Sequence, residues 1–255
     1  MSKSVVIFSG GADSTVILHH AIKNFDEVYC LTYNYNQRHK LEIEKAINYT
    51  SDLGVGEGQK VAQHIVVDLG FYASLASASA LTNSAINVPK MKDVIGHPQN
   101  QTYVPNRNTI MISIAAGYAE SIDASDVFYG AALADDTSGF WDCTTEYLNR
   151  VNLLLSLNRK NTIKVNAPLI KMTKQEIIEY GVSLGADFSK TLTCYNGETI
   201  SCGQCPSCSA RIAGFLSTKK YIDPLPYKIE IPWKEHGCCI NIICEGQTVR
   251  LNENT

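Results

Sequence analysis

The chain has 255 residues, of which 45% are hydrophobic and 18% are charged, and its formal net charge is −3. These proportions allow a sizeable core in one large domain, or in one domain with a small annex. No run of Lys or Arg exceeds a pair, which argues against a broad nucleic-acid surface. We expect neither a signal peptide nor a membrane span, and therefore a cytoplasmic protein. Nine cysteines in such a protein indicate metal binding or chemistry rather than disulfides.

Short apolar segments alternate with amphipathic segments along most of the chain. Strands are predicted at residues 4–8, 27–33, 64–68, 126–130 and 163–166. Helices are predicted at residues 13–23, 37–53, 108–121, 144–157, 174–184 and 206–215. Strands that are separated by helices pair in parallel, so the sequence predicts an α/β fold with a doubly wound, parallel five-stranded sheet. Ligands of such sheets bind at the carboxyl ends of the strands.

The turn after the first strand has the features of a phosphate-binding loop. Gly10 and Gly11 permit a tight turn with exposed N–H groups, and the helix that follows directs its positive dipole end to the same place. Ser9, Ser14 and Thr15 add hydroxyl donors. The alternative is an ordinary strand-to-helix turn with a Ser cap. The spacing fits neither a Walker A loop nor a Gly-x-Gly-x-x-Gly fingerprint. It resembles the PP-loop of ATP pyrophosphatases, which transfer AMP to a substrate oxygen.

Basic residues lie near the starts of two predicted helices. Arg38 or His39 could face a nucleotide after the second strand, or belong to a solvated cluster. Arg107 precedes a nearly apolar helix, where a cation opposes the helix dipole. A bound anion or carboxylate would explain Arg107, and a surface ion pair is the alternative. The segment between them, residues 70–106, has little periodicity and is long enough to be functional or disordered.

The segment after the fourth strand, residues 130–143, is expected at the same sheet edge as the PP-loop. Its polar and aromatic residues could contact a substrate ring or hold Mg²⁺ together with phosphates: Asp135, Asp136, Trp141 and Asp142.

Two lysines further along could neutralise pyrophosphate or be solvated. These are Lys171 and Lys174, which flank the candidate helix N-cap Thr173. Glu176 is judged to lie one position off for a capping box.

Four cysteines within fifteen residues predict one tetrahedral metal site: Cys194, Cys202, Cys205 and Cys208. Thiolates at this spacing favour a structural zinc ion, and an iron–sulfur cluster is the alternative. Pro206 suits the first turn of a following helix. Cys238, Cys239 and Cys244 with His236 could form a second site, although an adjacent Cys pair has poor ligand spacing.

The tail is predicted to form short strands at residues 228–231, 240–243 and 248–251, with a turn at Glu245 and Gly246. Three parts of the chain follow from these patterns. Residues 1–190 are an α/β domain with the PP-loop, residues 191–226 are the four-cysteine segment and its helix, and residues 227–255 are a β-hairpin-like extension.

Several of these segments, taken in order, resemble the 7-cyano-7-deazaguanine synthase family of the queuosine pathway. The resemblance covers residues 4 to about 226 and is carried by residues 9–15, 35–39, 79–82, 103–108, 142–143, 167–170 and 194–211. It implies a ligase that uses ATP twice. The enzyme adenylates the carboxylate of 7-carboxy-7-deazaguanine, lets ammonia displace AMP to give an amide, and then adenylates and dehydrates that amide to the nitrile. Ammonia is expected to be free because no glutaminase segment is recognisable.

The resemblance also implies which residues act. The predicted ATP contacts are Phe8, Ser9, Gly10, Gly11, Ala12, Asp13, Ser14, Thr15, Val16, Ile17, Leu18 and Gly130. The predicted catalytic residues are Ser9, Asp13, Ser14, Arg38, Arg107 and Lys174. The expected cofactors are ATP as a substrate, Mg²⁺, and one structural Zn²⁺ on the four cysteines. The family also suggests a homodimer.

Two departures from the family pattern leave alternatives open. The loop at residues 135–143 has Trp141 where the family has Pro, with an apparent one-residue insertion, and residues 228–255 extend past the usual end. A relative that stops at the amide, or that joins the base to another molecule or protein, is therefore one alternative. The extension could bind a protein partner. A tRNA-modifying PP-loop enzyme such as a thiolase is a further alternative, against which the net charge speaks.

Overall fold

The computed structural model describes residues 1–94, 101–133, 139–242 and 248–250. Asp135, Asp136, Cys244 and the predicted turn at residues 245–246 lie outside the described residues, as do parts of two tail strands. Within the described part of the chain, no helix is long and apolar enough to cross a membrane.

The main sheet has five parallel strands in the order β3-β2-β1-β4-β5, which confirms the predicted α/β fold. The strands are β1 (Lys3–Ile7), β2 (Glu27–Asn34), β3 (Gln63–Asp68), β4 (Asp126–Phe128) and β5 (Lys164–Asn166). The chain order reverses on either side of β1, between β2 and β4. This switch point opens a crevice at the carboxyl end of β1, where ligands of doubly wound sheets bind.

Helices cover both faces of the sheet. Their bounds are α1 (Ala12–Asn24), α2 (Leu41–Leu53), α3 (Tyr72–Leu75), α4 (Arg107–Ser121), α5 (Thr145–Leu155), α6 (Lys174–Ser183) and α7 (Pro206–Ser217). Neighbouring residues of β1 point to opposite faces, as the period of a strand requires: Val5 belongs to the core cluster that includes α4, and Val6 to the one that includes α1.

Local capping fixes where two helices begin. Thr173 accepts from the backbone N–H of Glu176, and the Glu176 carboxylate accepts from the N–H of Thr173 at 2.7 Å. This is a complete capping box, so the prediction that Glu176 lies one position off was wrong. Pro206 is the first residue of α7 after the N-cap Cys205, as predicted.

The second helix begins four residues later than predicted, at Leu41. The Gln37 side chain is engaged in the turn before it, accepting from the N–H of Tyr35 at 2.9 Å and donating to the carbonyl of Tyr33 at 3.0 Å. Asn36 has a φ of 59°, which a helix does not allow. These contacts form an ordered turn where the sequence predicts the first turn of the helix.

The C-terminal part contributes a three-stranded sheet of β6 (Tyr221–Ile222), β7 (Ile240–Ile242) and β8 (Thr248–Arg250). The first pair is parallel and the second antiparallel. The strand predicted at residues 228–231 is absent from this described segment, which corrects the prediction. Prolines at 226 and 232 flank it and cannot donate to a ladder, and Ile229 packs beside Gly203 instead.

A buried ion pair connects α7 to this C-terminal part. Arg211 is 2% exposed and donates to the two carboxylate oxygens of Asp223 at 2.6 and 2.9 Å. Its remaining donors reach the hydroxyls of Thr191 and Thr193 and the carbonyl of Phe188. The guanidinium is therefore fully paired, which a buried charge requires.

Candidate active site

A cavity of about 390 Å³ lies at the carboxyl ends of the central strands. Its wall includes Phe8 after β1, Tyr35 after β2, Gly130 after β4 and the starts of α1, α4, α6 and α7. The position agrees with the expected ligand edge of the sheet. One end of the cavity is the PP-loop, and the other end is aromatic and carries two opposite charges.

The PP-loop is held in shape by its own hydroxyl groups. The Ser14 hydroxyl accepts from the N–H of Ser9 at 3.2 Å and donates to the carbonyl of Gly11 at 3.1 Å, while the N–H of Gly11 donates to the Ser9 hydroxyl at 3.2 Å. Gly10 has a φ of 81°, and a Cβ there would lie 2.6 Å from the carbonyl oxygen of Glu42. The turn therefore requires glycine at this position.

Asp13 and Lys174 form an ion pair at the edge of this loop. The lysine Nζ lies 2.8 and 2.7 Å from the two carboxylate oxygens, and both side chains are partly exposed. Gly130 lies over the first turn of α1, where a Cβ would be 3.6 Å from the N of Ser14. The structure thus brings together three residues that are distant in sequence, and it places a lysine beside the phosphate loop.

Only the first half of the predicted ATP segment reaches the cavity. Its wall contains Phe8, Ser9, Gly11, Ala12, Asp13 and Ser14. Val16, Ile17 and Leu18 are 0% exposed and belong to the core beneath the loop. Thr15 is also buried, and neither it nor Gly10 lies in the wall. These five positions therefore lie outside the described wall of the cavity.

The opposite end of the cavity combines a cation and an anion. The Arg107 guanidinium donates to the Asn108 side chain at 3.3 and 3.2 Å and points at the hydroxyl of Tyr35, 3.5 Å away. Asp142 is 3% exposed, and burial raises the pKa of its carboxyl while Arg107 opposes that shift. A carboxylate near Arg107 was one of the two explanations that the sequence offered for a cation at this helix start.

Aromatic rings form the wall beside these charges. Tyr103 and Phe140 are stacked, with centroids 6.2 Å apart and an interplanar angle of 27°. The Trp141 indole N–H donates to the hydroxyl of Tyr103 at 2.7 Å, and its ring packs edge-on against Tyr147. Trp141 is absent from the described wall of the cavity, and it contacts Tyr103, which is part of that wall. Flat apolar walls with a few polar groups are typical of sites for planar ligands.

The predicted residue Arg38 is not brought to the cavity. Its guanidinium donates to the carbonyls of Asn83, Ser84 and Ile86, at 3.2, 3.0 and 2.7 Å. His39 lies in the wall instead, with its Nε2 3.3 Å from the Glu42 carboxylate. Glu42 also lines the cavity, and sequence reasoning missed it because it lies on a helix whose other acidic residues are solvated. Tyr35 was missed as well, although its neighbours drew attention to this segment.

The four predicted cysteines come together. Their sulfurs all lie within 4.8 Å of one another, and those of Cys202 and Cys208 are 3.9 Å apart. Backbone N–H groups point at the sulfurs, including that of Cys202 at Cys194 and that of Cys205 at Cys202, both at 3.4 Å. The cluster could hold a metal ion. In the part of the chain that the structure describes, Cys238 and Cys239 belong to no such group.

The cysteine cluster adjoins the cavity wall. The N–H of Met91 donates to the carbonyl of Gln204 at 2.9 Å, and Met91 lines the cavity. Pro206 and Ser207, which follow Cys205, line it too. The metal-binding segment therefore shapes one side of the candidate active site.

Comparison with known proteins decides the family. The model of the family described as queuosine biosynthesis protein QueC matches residues 3–219. The chain belongs to the QueC family. The 7-cyano-7-deazaguanine synthase of Alteromonas mediterranea is 38% identical over 88% of this chain and 98% of that protein. The synthases of Clostridium kluyveri and Rickettsia africae are each 39% identical, over 90% and 88% of this chain and 100% and 98% of those proteins.

The QueC family match ends before the tail, as the sequence predicted for the extension. Among solved structures, the chain is similar to the U34-tRNA thiolase NcsA from Methanococcus maripaludis, with a TM-score of 0.44 and 16% identity over 73% of this chain and 58% of that chain. A likeness this distant does not distinguish between reactions. The QueC family does not favour the alternatives of an amide-forming, conjugating or tRNA-modifying enzyme.

Proposed function

We propose that this chain converts 7-carboxy-7-deazaguanine and ammonia into 7-cyano-7-deazaguanine, with two ATP consumed and two AMP and two pyrophosphate released. Membership of the QueC family is the observation that carries this proposal. The cavity supports it, because a phosphate loop lies at one end and a flat, charged ring site at the other. A nucleotide bound at the phosphate loop and a heterocyclic acid bound at the ring site could then meet in the middle of the cavity.

The first two steps turn an unreactive carboxylate into an amide. A substrate carboxylate oxygen bonds to the α-phosphorus of ATP and pyrophosphate leaves; the nitrogen of ammonia then bonds to the carboxyl carbon and AMP leaves with one proton lost. We assign Ser9, Gly11 and Ser14 to the phosphates, which would replace some of the hydrogen bonds that these residues make within the loop. We assign Lys174 to the charge that develops on pyrophosphate.

The last steps use the same groups again. The amide oxygen bonds to a second α-phosphorus and pyrophosphate leaves; cleavage of the carbon–oxygen bond then releases AMP as the nitrile forms and the nitrogen loses both of its protons. The Arg107 guanidinium is proposed to hold the carboxylate, and later the amide oxygen, in line with the α-phosphorus. Arg38 is proposed to act only through the turn whose carbonyls it binds, and so as a positioning residue.

The cysteine cluster fits zinc. A zinc ion with bonds of about 2.3 Å separates its thiolates by about 3.8 Å, close to the 3.9 Å between Cys202 and Cys208. An iron–sulfur cluster spreads its ligands around several atoms and would need more room. We propose that Cys194, Cys202, Cys205 and Cys208 hold one structural Zn²⁺, which would cross-link the segment that borders the cavity.

Magnesium finds no ready ligand set among the described residues. The Asp13 carboxylate at the loop is engaged by Lys174. We therefore propose that Mg²⁺ arrives on the ATP phosphates. A homodimer, a protein partner for residues 227–255, a cytoplasmic location and the division at residues 190 and 226 are further proposals that rest on the sequence.

The proposal is tested by incubating the purified protein with ATP, Mg²⁺, ammonium and 7-carboxy-7-deazaguanine and following the products by mass spectrometry. We expect the nitrile, with two AMP per nitrile, and transient amide when ATP is limiting. Accumulated amide with no nitrile, a base conjugate, or no AMP would each contradict the proposal.

A matched pair of variants tests the site. Asp13→Asn removes the charge beside the loop and is expected to lower AMP formation at least about a hundredfold with an unchanged circular dichroism spectrum. Asp26→Asn makes the same exchange at an exposed carboxylate paired with Ser2 and should retain activity. Equal activity of the two variants would contradict the role of the PP-loop end.

A further inference from the structure

The buried carboxylate at the aromatic end of the cavity is a group that the reaction chemistry above does not use. Asp142 is 3% exposed, yet it lines the cavity together with Tyr103, Phe140 and Arg107. A charged side chain rarely occupies such a position unless its charge is paired or used. The question is therefore what this carboxylate recognises.

Its protein partners hold it in place without satisfying it. The Asp142 carboxylate accepts from the backbone N–H groups of Asn108 and of Asp142 itself, and the Cys143 thiol is a weak third donor with its sulfur 3.9 Å from Oδ1. Among the ion pairs of the described residues, none within 4.0 Å includes Asp142, although the field of Arg107 acts on it. An ionised carboxylate offers about four acceptor positions, and the two backbone N–H groups occupy two of them, so about two remain for a ligand with two N–H donors.

The substrate class has a matching edge. A 7-carboxy-7-deazaguanine ring presents N1–H and the 2-amino group side by side, as two parallel donors. The exocyclic carbonyl oxygen O6 lies next to N1 on one side and next to the 7-carboxylate on the other. Arg107 and Asp142, which both line the cavity wall, would therefore face groups that lie side by side on the ring.

Resting on the proposed function, we infer that Asp142 is the specificity-determining residue of the ring site: its carboxylate accepts from N1–H and the 2-amino group, while Arg107 faces O6 and the 7-carboxylate. The stacked rings of Tyr103 and Phe140 form the apolar wall beside the bound base. The site thereby selects 2-amino-6-oxo rings and rejects those without the 2-amino group, because the buried carboxylate would then lack one of its two ligand donors.

The test pairs a change in the protein with a change in the ligand. Calorimetry without ATP measures binding of 7-carboxy-7-deazaguanine and of its analogue without the 2-amino group. We expect wild-type protein to prefer the parent ligand about ten- to a hundredfold, as a bidentate contact does. In Asp142→Asn the preference should fall to about threefold or less, with ATP affinity unchanged and the KM for the carboxylate raised more than kcat is lowered.

Glu146→Gln is the control, since Glu146 is an exposed carboxylate of the next helix paired with Arg150. It should keep the full preference. An unchanged preference in Asp142→Asn, or an equal loss of affinity for both ligands, would overturn the assignment and indicate a structural role. If Asp142→Asn does not fold, wild-type protein alone decides, because equal binding of the two ligands contradicts the inference.

Failure of the inference can be told from failure of the proposed function. Wild-type protein that forms the nitrile but binds both ligands equally overturns only the role of Asp142. Wild-type protein that discriminates between the ligands but forms no AMP supports the ring site and contradicts the reaction.

Discussion

The PP-loop and the cysteine segment are both short turns that direct backbone N–H groups inward, but they are stabilised differently. In the PP-loop, the hydroxyls of Ser9 and Ser14 satisfy the turn from within, and Gly10 avoids clashes with the backbone of Glu42 and Ala46. In the cysteine segment, four sulfurs lie within 4.8 Å of one another. Thiolates that close repel each other, so this turn needs a cation at its centre. The PP-loop is therefore stabilised by its own groups, whereas the cysteine segment depends on a bound cation.

The largest expected effect is therefore at the cysteine segment. Cys205→Ser removes one of four thiolate ligands but keeps a side chain that can cap α7. We expect metal content to fall well below one ion per chain and the free energy of unfolding to fall by more than about 4 kcal/mol, as for loss of a structural metal. Metal analysis and urea unfolding measure the two quantities.

Cys239→Ser is the matched control, because Cys239 is exposed and outside the cluster. It should leave metal content and stability unchanged. A stable Cys205→Ser protein with a full metal complement would show that the segment does not depend on its ion.

The next largest effect is expected from a substitution that strains the PP-loop. Gly10→Ala places a Cβ 2.6 Å from the Glu42 carbonyl at a φ of 81°. It should cost about 2–4 kcal/mol of stability and most of the AMP formation, with metal content intact. Gly117→Ala is the control: its Cβ meets nothing within 4 Å, and the change should stabilise α4 by up to about 1 kcal/mol. Full activity in Gly10→Ala would mean that the turn tolerates distortion.

A smaller effect is expected where the two regions meet. Arg38 holds the turn at residues 83–86, and the segment around it contributes Leu81 to the cavity and Val88 to the cysteine cluster. Arg38→Met should lower the free energy of unfolding by about 1–2 kcal/mol and raise the KM for ATP or for the base. Metal content should stay unchanged. Lys40→Met, at an exposed position two residues later, should alter none of these values. Loss of metal in Arg38→Met would show that the two regions are not separable.

The smallest effect is a pH dependence beneath the PP-loop. Burial lowers the pKa of His64 to about 4 from its ordinary 6.5. Its ring nitrogens lie 2.8 and 2.7 Å from the hydroxyls of Thr32 and Thr50, and Thr32 in turn donates to the carbonyl of Phe8. The unfolded chain binds the proton more readily, so this contribution to stability is complete above pH 6.5 and decreases as the pH falls toward 4.

We expect His64→Asn to flatten the pH dependence of unfolding in that window, as measured by urea titrations between pH 4 and 7. His236→Asn, at an exposed position, should leave the curve of the wild-type protein unchanged. A curve for His64→Asn that still falls as steeply as wild type would assign the acid sensitivity to other groups.

Sequence patterns predicted the features of this protein that are encoded in one short stretch of the chain. The strand-to-loop-to-helix unit around Gly10 and the Cys202–Cys208 spacing are each written in one short stretch, and both were placed correctly. The pairing of Lys174 with Asp13, and the approach of Asp142 to Arg107, bring together residues far apart in the chain. They depend on the order of strands, which alternation of helix and strand does not fix.

The differences between prediction and structure have equally specific causes. Arg38 is a predicted catalytic residue because it carries charge near the right sheet edge, whereas its guanidinium donates to the carbonyls of Asn83, Ser84 and Ile86. The predicted helix start at residue 37 was wrong because the buried amide of Gln37 hydrogen-bonds to backbone groups of the turn before the helix. In the sequence alone, a polar residue in such a turn looks the same as a polar residue at a helix start.

The buried pair of Arg211 and Asp223 has an evolutionary consequence. The match to the QueC family model ends at residue 219, between Arg211 and Asp223. Tyr227 also donates to Asp223 at 2.7 Å. A recombination event or a laboratory chimera joined at residue 219 would inherit one charge without the other. Functional exchange of C-terminal segments between relatives therefore requires a crossover point beyond Tyr227, or simultaneous replacement of Arg211.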